Sequence, residues 1–105
     1  MSVKTYNKLV RDLIPDIIEE SGKTCRVRVL SEDEYLEMLD RKLDEELREY
    51  HKDESIEELA DIYELIRAAA IARGYTLEEL EAVRAAKAEK RGGFDKRIFL
   101  IDVSD

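Results

Sequence analysis

Apolar residues recur at spacings of three and four in four separate stretches of the chain, which is the pattern of amphipathic helices. The second stretch shows it most clearly, with Leu36, Leu39, Leu43, Leu47 and Tyr50 on one stripe. The predicted helices cover residues of about 12–21, 31–52, 55–74 and 76–91.

Residues that favour helix starts stand at the beginning of these stretches. The first has Asp12 as a candidate N-cap and Pro15 in its first turn, where a missing N–H costs little. The other three begin with Ser or Thr followed three residues later by Glu, which is the capping-box pattern. These pairs are Ser31 with Glu34, Ser55 with Glu58, and Thr76 with Glu79.

Two segments have features of β-strands: one alternates apolar and polar residues, and the other is rich in residues that favour strands. In residues 24–30, Cys25, Val27 and Val29 alternate with arginines, and residues 97–103 are rich in β-branched and aromatic side chains. We therefore expect a small two-stranded β ribbon formed by residues near 24–30 and 97–103. The predicted fold is mainly α, an antiparallel bundle of about four helices with this ribbon, in a single domain over residues 1–105.

Composition and charge narrow the function classes. Charged residues make up 42 % of the sequence and the formal net charge is −8, which argues against a dedicated nucleic-acid binder. A nucleotide substrate stays open, because a metal ion can invert the local field. No apolar run is long enough for a membrane span, and the first residues lack the apolar core of a signal peptide. With Cys25 as the only cysteine, we expect a soluble cytoplasmic protein without a membrane partner.

Two acidic pairs are the main candidate for chemistry. Glu46 and Glu49 lie on the second predicted helix, and Glu58 and Asp61 lie on the third. Residues three apart share a helix face, so a tight antiparallel hairpin would bring the four carboxylates together. They would then repel one another unless a divalent cation such as Mg²⁺ neutralised them.

A simpler interpretation stands beside the metal site. The sequence holds 26 Asp and Glu residues, so acidic pairs at this spacing also arise on any solvated helical surface. Glu58 could have no role beyond its capping box at the start of the third helix. Glu46 and Asp61 are more informative, because both interrupt or border apolar stripes, where an unpaired carboxylate is costly.

Basic residues near the fourth helix offer candidate phosphate contacts. Lys87, Lys90 and Arg91 precede Gly92-Gly93, where the backbone can approach a phosphate closely. Basic residues at a helix C-terminus also simply complement the helix dipole. Lys42, one turn before Glu46, is either a phosphate contact or part of a helix ion pair.

The motifs together resemble a known superfamily. The run K-L-x-E-E-x-x-E over residues 42–49 and E-E-L-A-D over residues 57–61 are similar to the signature of MazG-like all-α nucleoside triphosphate pyrophosphohydrolases. Y-N-K-L-V-R-D-L-I-P over residues 6–15 and K-R-G-G-F over residues 90–94 resemble its small single-domain branch, described as phosphoribosyl-ATP pyrophosphohydrolase-like.

The resemblance implies a set of functional residues. It makes Glu46, Glu49, Glu58 and Asp61 ligands of Mg²⁺, with Mn²⁺ as a possible substitute. Glu45, Glu46 and Glu49 become the catalytic carboxylates, with Glu45 as a helper that orients water. Lys42, Lys87, Lys90 and Arg91 become substrate-binding candidates. Asn7, Lys8 and Arg11 match the N-terminal block without an assigned role.

The implied reaction is hydrolysis between the α and β phosphates of a nucleoside triphosphate, giving a monophosphate and pyrophosphate. Phosphoribosyl-ATP is the alternative substrate, and a non-catalytic acidic helical interaction or regulatory module is the alternative class. A small core, together with the habit of the superfamily, predicts a homodimer or homotetramer.

Overall fold

Four helices form the structure, a computed structural model that describes residues 2–105. They are α1 (Ile14–Glu20), α2 (Glu32–Asp53), α3 (Ile56–Ala72) and α4 (Leu77–Arg91). The prediction of a mainly α helical bundle is therefore confirmed. No helix in the described part of the chain is long and apolar enough to cross a membrane.

The helix starts follow the predicted capping in most cases. Ser31 and Thr76 form complete capping boxes with Glu34 and Glu79, so α2 and α4 begin as expected. The helix α1 differs, because Leu13 rather than Asp12 precedes it and no side chain caps it. Pro15 does lie in its first turn.

The hairpin of α2 and α3 is the centre of the fold. Its α2 side is the predicted stripe that includes Leu39 and Leu43, and Leu39, at 3 % exposure, is the one buried hydrophobic residue among residues 2–105. Glu54 and Ser55 alone connect the two helices. Glu54 adopts a left-handed conformation with φ 52°, and its amide donates to the Tyr50 carbonyl over 2.7 Å. This turn closes α2 and reverses the chain.

The predicted β ribbon is wrong. Within residues 2–105 no strand is present, and residues 24–30 and 97–103 lie unpaired. Val29 is 96 % exposed and Phe99 is 87 % exposed, so these apolar side chains of the two segments are left largely uncovered. An extended segment gains little stability without cross-strand contacts, and this single chain supplies none for either one.

The remaining helices add little packing. The contact between α3 and α4 is sparse, and α1 packs on no other helix of the described residues. The radius of gyration is 18.6 Å, whereas a compact chain of this length has about 13 Å. The exposed surface is 10,019 Å², whereas a compact 12.2 kDa monomer exposes about 6,100 Å². One copy of the chain therefore leaves much of its apolar surface uncovered.

Candidate metal centre

Two overlapping groups of carboxylates meet at the closed end of the α2–α3 hairpin. In the first, carboxylate oxygens of Glu46, Glu58 and Asp61 all lie within 4.8 Å of one another. In the second, oxygens of Glu49, Asp53 and Glu58 satisfy the same limit. Glu58 belongs to both groups, and we call the five residues together the carboxylate cluster.

Helical spacing and the short turn explain this convergence. Glu46, Glu49 and Asp53 follow one another at three and four residues along the last turns of α2, so they share one face. Glu58 and Asp61 are three residues apart in the first turns of α3. Because only two residues connect the helices, the end of α2 lies beside the start of α3. All four predicted metal ligands are thus brought together, and Asp53 joins them.

Glu46 occupies the position that the apolar pattern predicts for a core residue. Its side chain is only 13 % exposed, and it continues the stripe of Leu43 and Tyr50. The Asp61 side chain is 36 % exposed and lies one turn before the half-buried Leu65. Both carboxylates therefore stand at the packed face of the hairpin, where an unpaired charge is unfavourable.

Glu58 does not complete its capping box. Ser55 Oγ accepts a hydrogen bond from the Glu58 amide at 3.3 Å, but the Glu58 carboxylate does not return to the Ser55 amide. The equivalent residues Glu34 and Glu79 both make that return bond. The Glu58 side chain instead lies in the cluster, where its Oε2 is buried without a hydrogen-bond partner among residues 2–105.

The cluster raises the pKa of Glu58 to about 7. A hydrogen bond with Glu46 is the largest cause, followed by burial and by repulsion from the charges of Glu46, Asp61 and Glu49. Two ionised carboxylates offer no donor, so this hydrogen bond forms only when Glu58 keeps a proton. In the absence of a cation, the cluster relieves its repulsion by retaining that proton near neutral pH.

The donor set fits a hard divalent cation. Every member supplies carboxylate oxygen, which Mg²⁺ and Mn²⁺ accept as a ligand. When Glu58 is ionised, its buried Oε2 has no hydrogen-bond donor in the described part of the chain, and a cation would satisfy it. The fit therefore rests on an orphaned oxygen as well as on the number of acids.

Cations from the N-terminal segment and from α2 border the cluster. Arg11 Nη2 lies 2.6 Å from Asp61 Oδ1, and Lys8 Nζ lies 3.6 Å from Glu45 Oε1. Lys42 Nζ contacts Glu46 at 3.3 Å and Glu45 at 3.4 Å. The N-terminal block that had no assigned role in the sequence thus contacts the edge of the cluster.

Some predicted site residues lie elsewhere. Glu45 is in neither carboxylate group and pairs with Lys8 and Lys42 instead. Lys87, Lys90 and Arg91 are exposed on the last turns of α4, and within residues 2–105 no hydrogen bond or ion pair joins them to the cluster.

Sequence reasoning also missed residues that the structure brings to this region. Asp53 lies one residue beyond the predicted end of the second helix, although its spacing of four from Glu49 could have identified it. Arg41 and Arg48 share a face of α2 with Glu45 at spacings of four and three. Their position beside the N-terminal segment had no sequence signal, because it depends on where that segment lies.

Comparison with known proteins gives one partial relative and no family. A stretch of 42 residues is 57 % identical to part of an uncharacterized protein of Mycolicibacterium smegmatis. The match covers 40 % of this chain and 43 % of that protein, so the chain spans less than half of the relative it matches. No protein-family model and no solved structure matches the chain.

Proposed function

We propose that this protein is a Mg²⁺-dependent nucleoside triphosphate pyrophosphohydrolase that cleaves the bond between the α and β phosphates. The proposal joins the carboxylate cluster to the resemblance of the acidic motifs to MazG-like enzymes. The observation that carries it is the position of Glu58. A glutamate with a cap bond available to it lies instead among four other acids, with one oxygen buried and unpartnered.

Arg11 and Lys42 neutralise only part of the cluster, at Asp61 and Glu46. Structural acids on a solvated surface separate or pair with Lys and Arg, as Glu81 does with Arg84 at 2.6 Å. Glu49, Asp53 and Glu58 have no ion pair in the described part of the chain, although their oxygens lie within 4.8 Å of one another. A functional cation explains why this repulsion is kept.

We assign a separate role to each group of residues in the proposed reaction. Glu46, Glu49, Glu58 and Asp61, with Asp53 beside them, would hold the metal. When bound, Mg²⁺ supplies positive charge to the phosphate chain and makes water a better nucleophile. Glu45, outside the two carboxylate groups, would orient water or accept a proton at the edge of the cluster. Lys42 contacts both Glu45 and Glu46 and can pair with a phosphate oxygen.

The metal chemistry does not determine which base and sugar the substrate carries. Phosphoribosyl-ATP contains the same α–β linkage, so the cluster serves it equally well. Lys87, Lys90 and Arg91 remain proposed phosphate contacts, and a second copy of the chain could bring them to the cluster. A cytoplasmic location, expected from the sequence, agrees with a nucleotide substrate.

We also propose that the working form is a homodimer or homotetramer. Ile56, Leu59, Tyr63 and Ile66 form a stripe on α3 at spacings of three and four, and each is between 40 and 74 % exposed. The chain exposes about 3,900 Å² more than a compact monomer of its mass. Obligate interfaces bury roughly 2,000–5,000 Å² in total, about half on each chain, so contact with a second copy can cover a substantial part of this excess.

Pyrophosphate release from a panel of nucleotides tests the proposed reaction. The panel contains ribo- and deoxyribonucleoside triphosphates and phosphoribosyl-ATP, each with Mg²⁺, with Mn²⁺ and without metal. The double variant Glu49→Gln/Asp61→Asn should abolish pyrophosphate release while the fold survives. Asp44→Asn/Glu57→Gln is the matched control, because it removes two exposed acids from the same helices. A metal-free protein as active as the loaded one would end the proposal, and inactivity on the whole panel would favour a non-catalytic acidic module.

A further inference from the structure

The N-terminal segment and α2 enclose a small hollow beside the carboxylate cluster. Its volume is about 220 Å³. Its polar lining consists of Asn7, Lys8, Arg41, Lys42, Glu45 and Arg48. Pockets for whole drug-sized ligands have about 300–1,000 Å³, so this hollow is suited to a smaller group.

The lining is strongly basic in an acidic protein. Four of the six polar side chains are cations and only Glu45 is an acid. The chain as a whole carries 26 acidic and 18 basic residues, so composition alone predicts the opposite balance. A local excess of positive charge in such a protein indicates an anion as the partner.

Internal ion pairs do not account for this excess. Lys8 and Lys42 both contact Glu45, so that single carboxylate already has two cations. Arg41 pairs with Glu37 at 2.9 Å, but its side chain is 68 % exposed, and such pairs contribute little and exchange readily. Arg48 makes no ion pair with any of residues 2–105. The two arginines therefore have guanidinium groups available to a ligand.

Local geometry brings these groups together. Arg41 and Arg48 are seven residues apart on α2, which places them on one face two turns from each other. Asn7 has φ 46°, a left-handed conformation that asparagine tolerates better than most residues. The chain bends at the next residue, Lys8, whose amine lies over the Glu45 carboxylate.

We propose that this hollow binds a phosphoryl anion of the size of pyrophosphate, held by Arg41 and Arg48 with Lys8 and Lys42. Arginine is suited to this role, because its planar guanidinium pairs with two phosphate oxygens at once. Lys42 lines the hollow and also contacts Glu46 of the cluster, so one phosphate chain can reach both places. The assignment of this anion to the β and γ phosphates of the substrate rests on the proposed function, whereas anion binding does not.

Titration calorimetry with inorganic pyrophosphate in metal-free buffer tests the anion site. The variant Arg41→Gln/Arg48→Gln should bind pyrophosphate about tenfold or more weakly than the unmodified protein, because charge-assisted hydrogen bonds are lost. Arg67→Gln/Arg84→Gln removes the same charge from α3 and α4 and should bind like the unmodified protein. Arg41→Lys/Arg48→Lys should recover part of the affinity, and circular dichroism verifies that each variant is folded. Equal weakening in the Gln variant and the control, or no binding by the unmodified protein, would overturn the site.

Kinetics separate this site from the proposed reaction. Arg41→Gln/Arg48→Gln should raise KM and the inhibition constant of pyrophosphate together, while the Mg²⁺ concentration for half-maximal activity stays unchanged. If nucleotides are hydrolysed and both constants are unaffected, the anion site is wrong and the proposed function stands. If pyrophosphate binds through the two arginines but no nucleotide is hydrolysed, the anion site stands and the proposed function falls.

Discussion

Arg11 and Asp61 are fifty residues apart in sequence, yet Arg11 Nη2 lies 2.6 Å from Asp61 Oδ1. The contact attaches the N-terminal segment to the first turns of α3. It also places a permanent cation against one acid of the carboxylate cluster. In the metal-free protein Arg11 therefore supplies part of the positive charge that the cluster needs.

Removal of that guanidinium should favour metal binding. In Arg11→Gln the cluster loses its neighbouring cation, so Mg²⁺ should bind more tightly. The pair is solvent-exposed, and exposed pairs contribute up to about 1 kcal/mol, which corresponds to a change of about fivefold at most. Titration of the metal-free protein with Mg²⁺ measures the effect, with Arg84→Gln as the control. Weaker binding in Arg11→Gln would mean that the arginine positions Asp61 for the metal.

The stability of the metal-free protein should fall as pH rises. Glu58 has a folded pKa of about 7, above its ordinary value of 4.5, so protonation favours the folded state. Its contribution is complete below pH 4.5 and is lost as pH rises through about 7. Thermal unfolding between pH 5 and pH 8 should therefore show a Tm that decreases with pH, and Mg²⁺ should raise Tm most at pH 8.

The lowered pKa of Glu34 affects folding stability only at lower pH. Arg28 holds the pKa of Glu34 down, to about 2, so the stability from that pair is lost only as pH falls below 4.5 towards 2. Glu58→Gln should therefore remove much of the decrease in Tm between pH 5 and pH 8. If Tm falls as steeply with pH in Glu58→Gln as in the unmodified protein, another group causes the pH dependence.

A comparison of two glutamates at the same helix position separates the cluster from helix capping. Glu58 and Glu79 are both the third residue of their helices, but only Glu79 returns a hydrogen bond to its cap residue. Glu58→Gln should lower pyrophosphate release roughly 100-fold or more, since even indirect metal partners cost about 10–100-fold. Glu79→Gln, which keeps the cap geometry, should keep full activity. Equal effects of the two variants on activity would reduce Glu58 to a structural residue.

The exposed stripe of α3 predicts the assembly. A charge on this stripe, as in Ile66→Glu, should dissociate the oligomer, because Ile66 is only 40 % exposed even in one copy and would be buried further. Light scattering after size exclusion gives the mass directly. Ile71→Glu, a similar change outside the stripe at the end of α3, is the comparison. A monomeric unmodified protein would contradict the prediction.

The hairpin and its acids could be predicted because both depend on local spacing. Repeats of three and four placed Leu39, Leu43 and Glu46 on one stripe, and Ser55 marked the start of α3. Spacing alone could not decide whether Glu58 caps its helix or joins the acids. That choice depends on side-chain direction, which only the three-dimensional arrangement determines.

The prediction of the β ribbon was wrong because the alternation of apolar and polar residues describes one segment and does not identify a pairing partner. Val27 and Val29 have the pattern of a half-buried strand, yet both are exposed in one copy of the chain. Asp53 was missed because helix ends are uncertain by one or two residues from sequence. Arg41 and Arg48 became candidate ligand contacts only because they line a hollow together with a segment more than thirty positions earlier, which no local pattern encodes.

Phosphorus NMR of the reaction products distinguishes cleavage between the α and β phosphates from cleavage between the β and γ phosphates. A nucleoside triphosphate that proves to be a substrate is incubated with the protein and Mg²⁺, and each phosphorus product is quantified over time. Metal-dependent cleavage at the α–β bond should give equal amounts of nucleoside monophosphate and pyrophosphate, with no reaction in metal-free buffer and a severe loss of activity in Glu58→Gln. Formation of nucleoside diphosphate and inorganic phosphate, or hydrolysis that is independent of both the metal and Glu58, would contradict it.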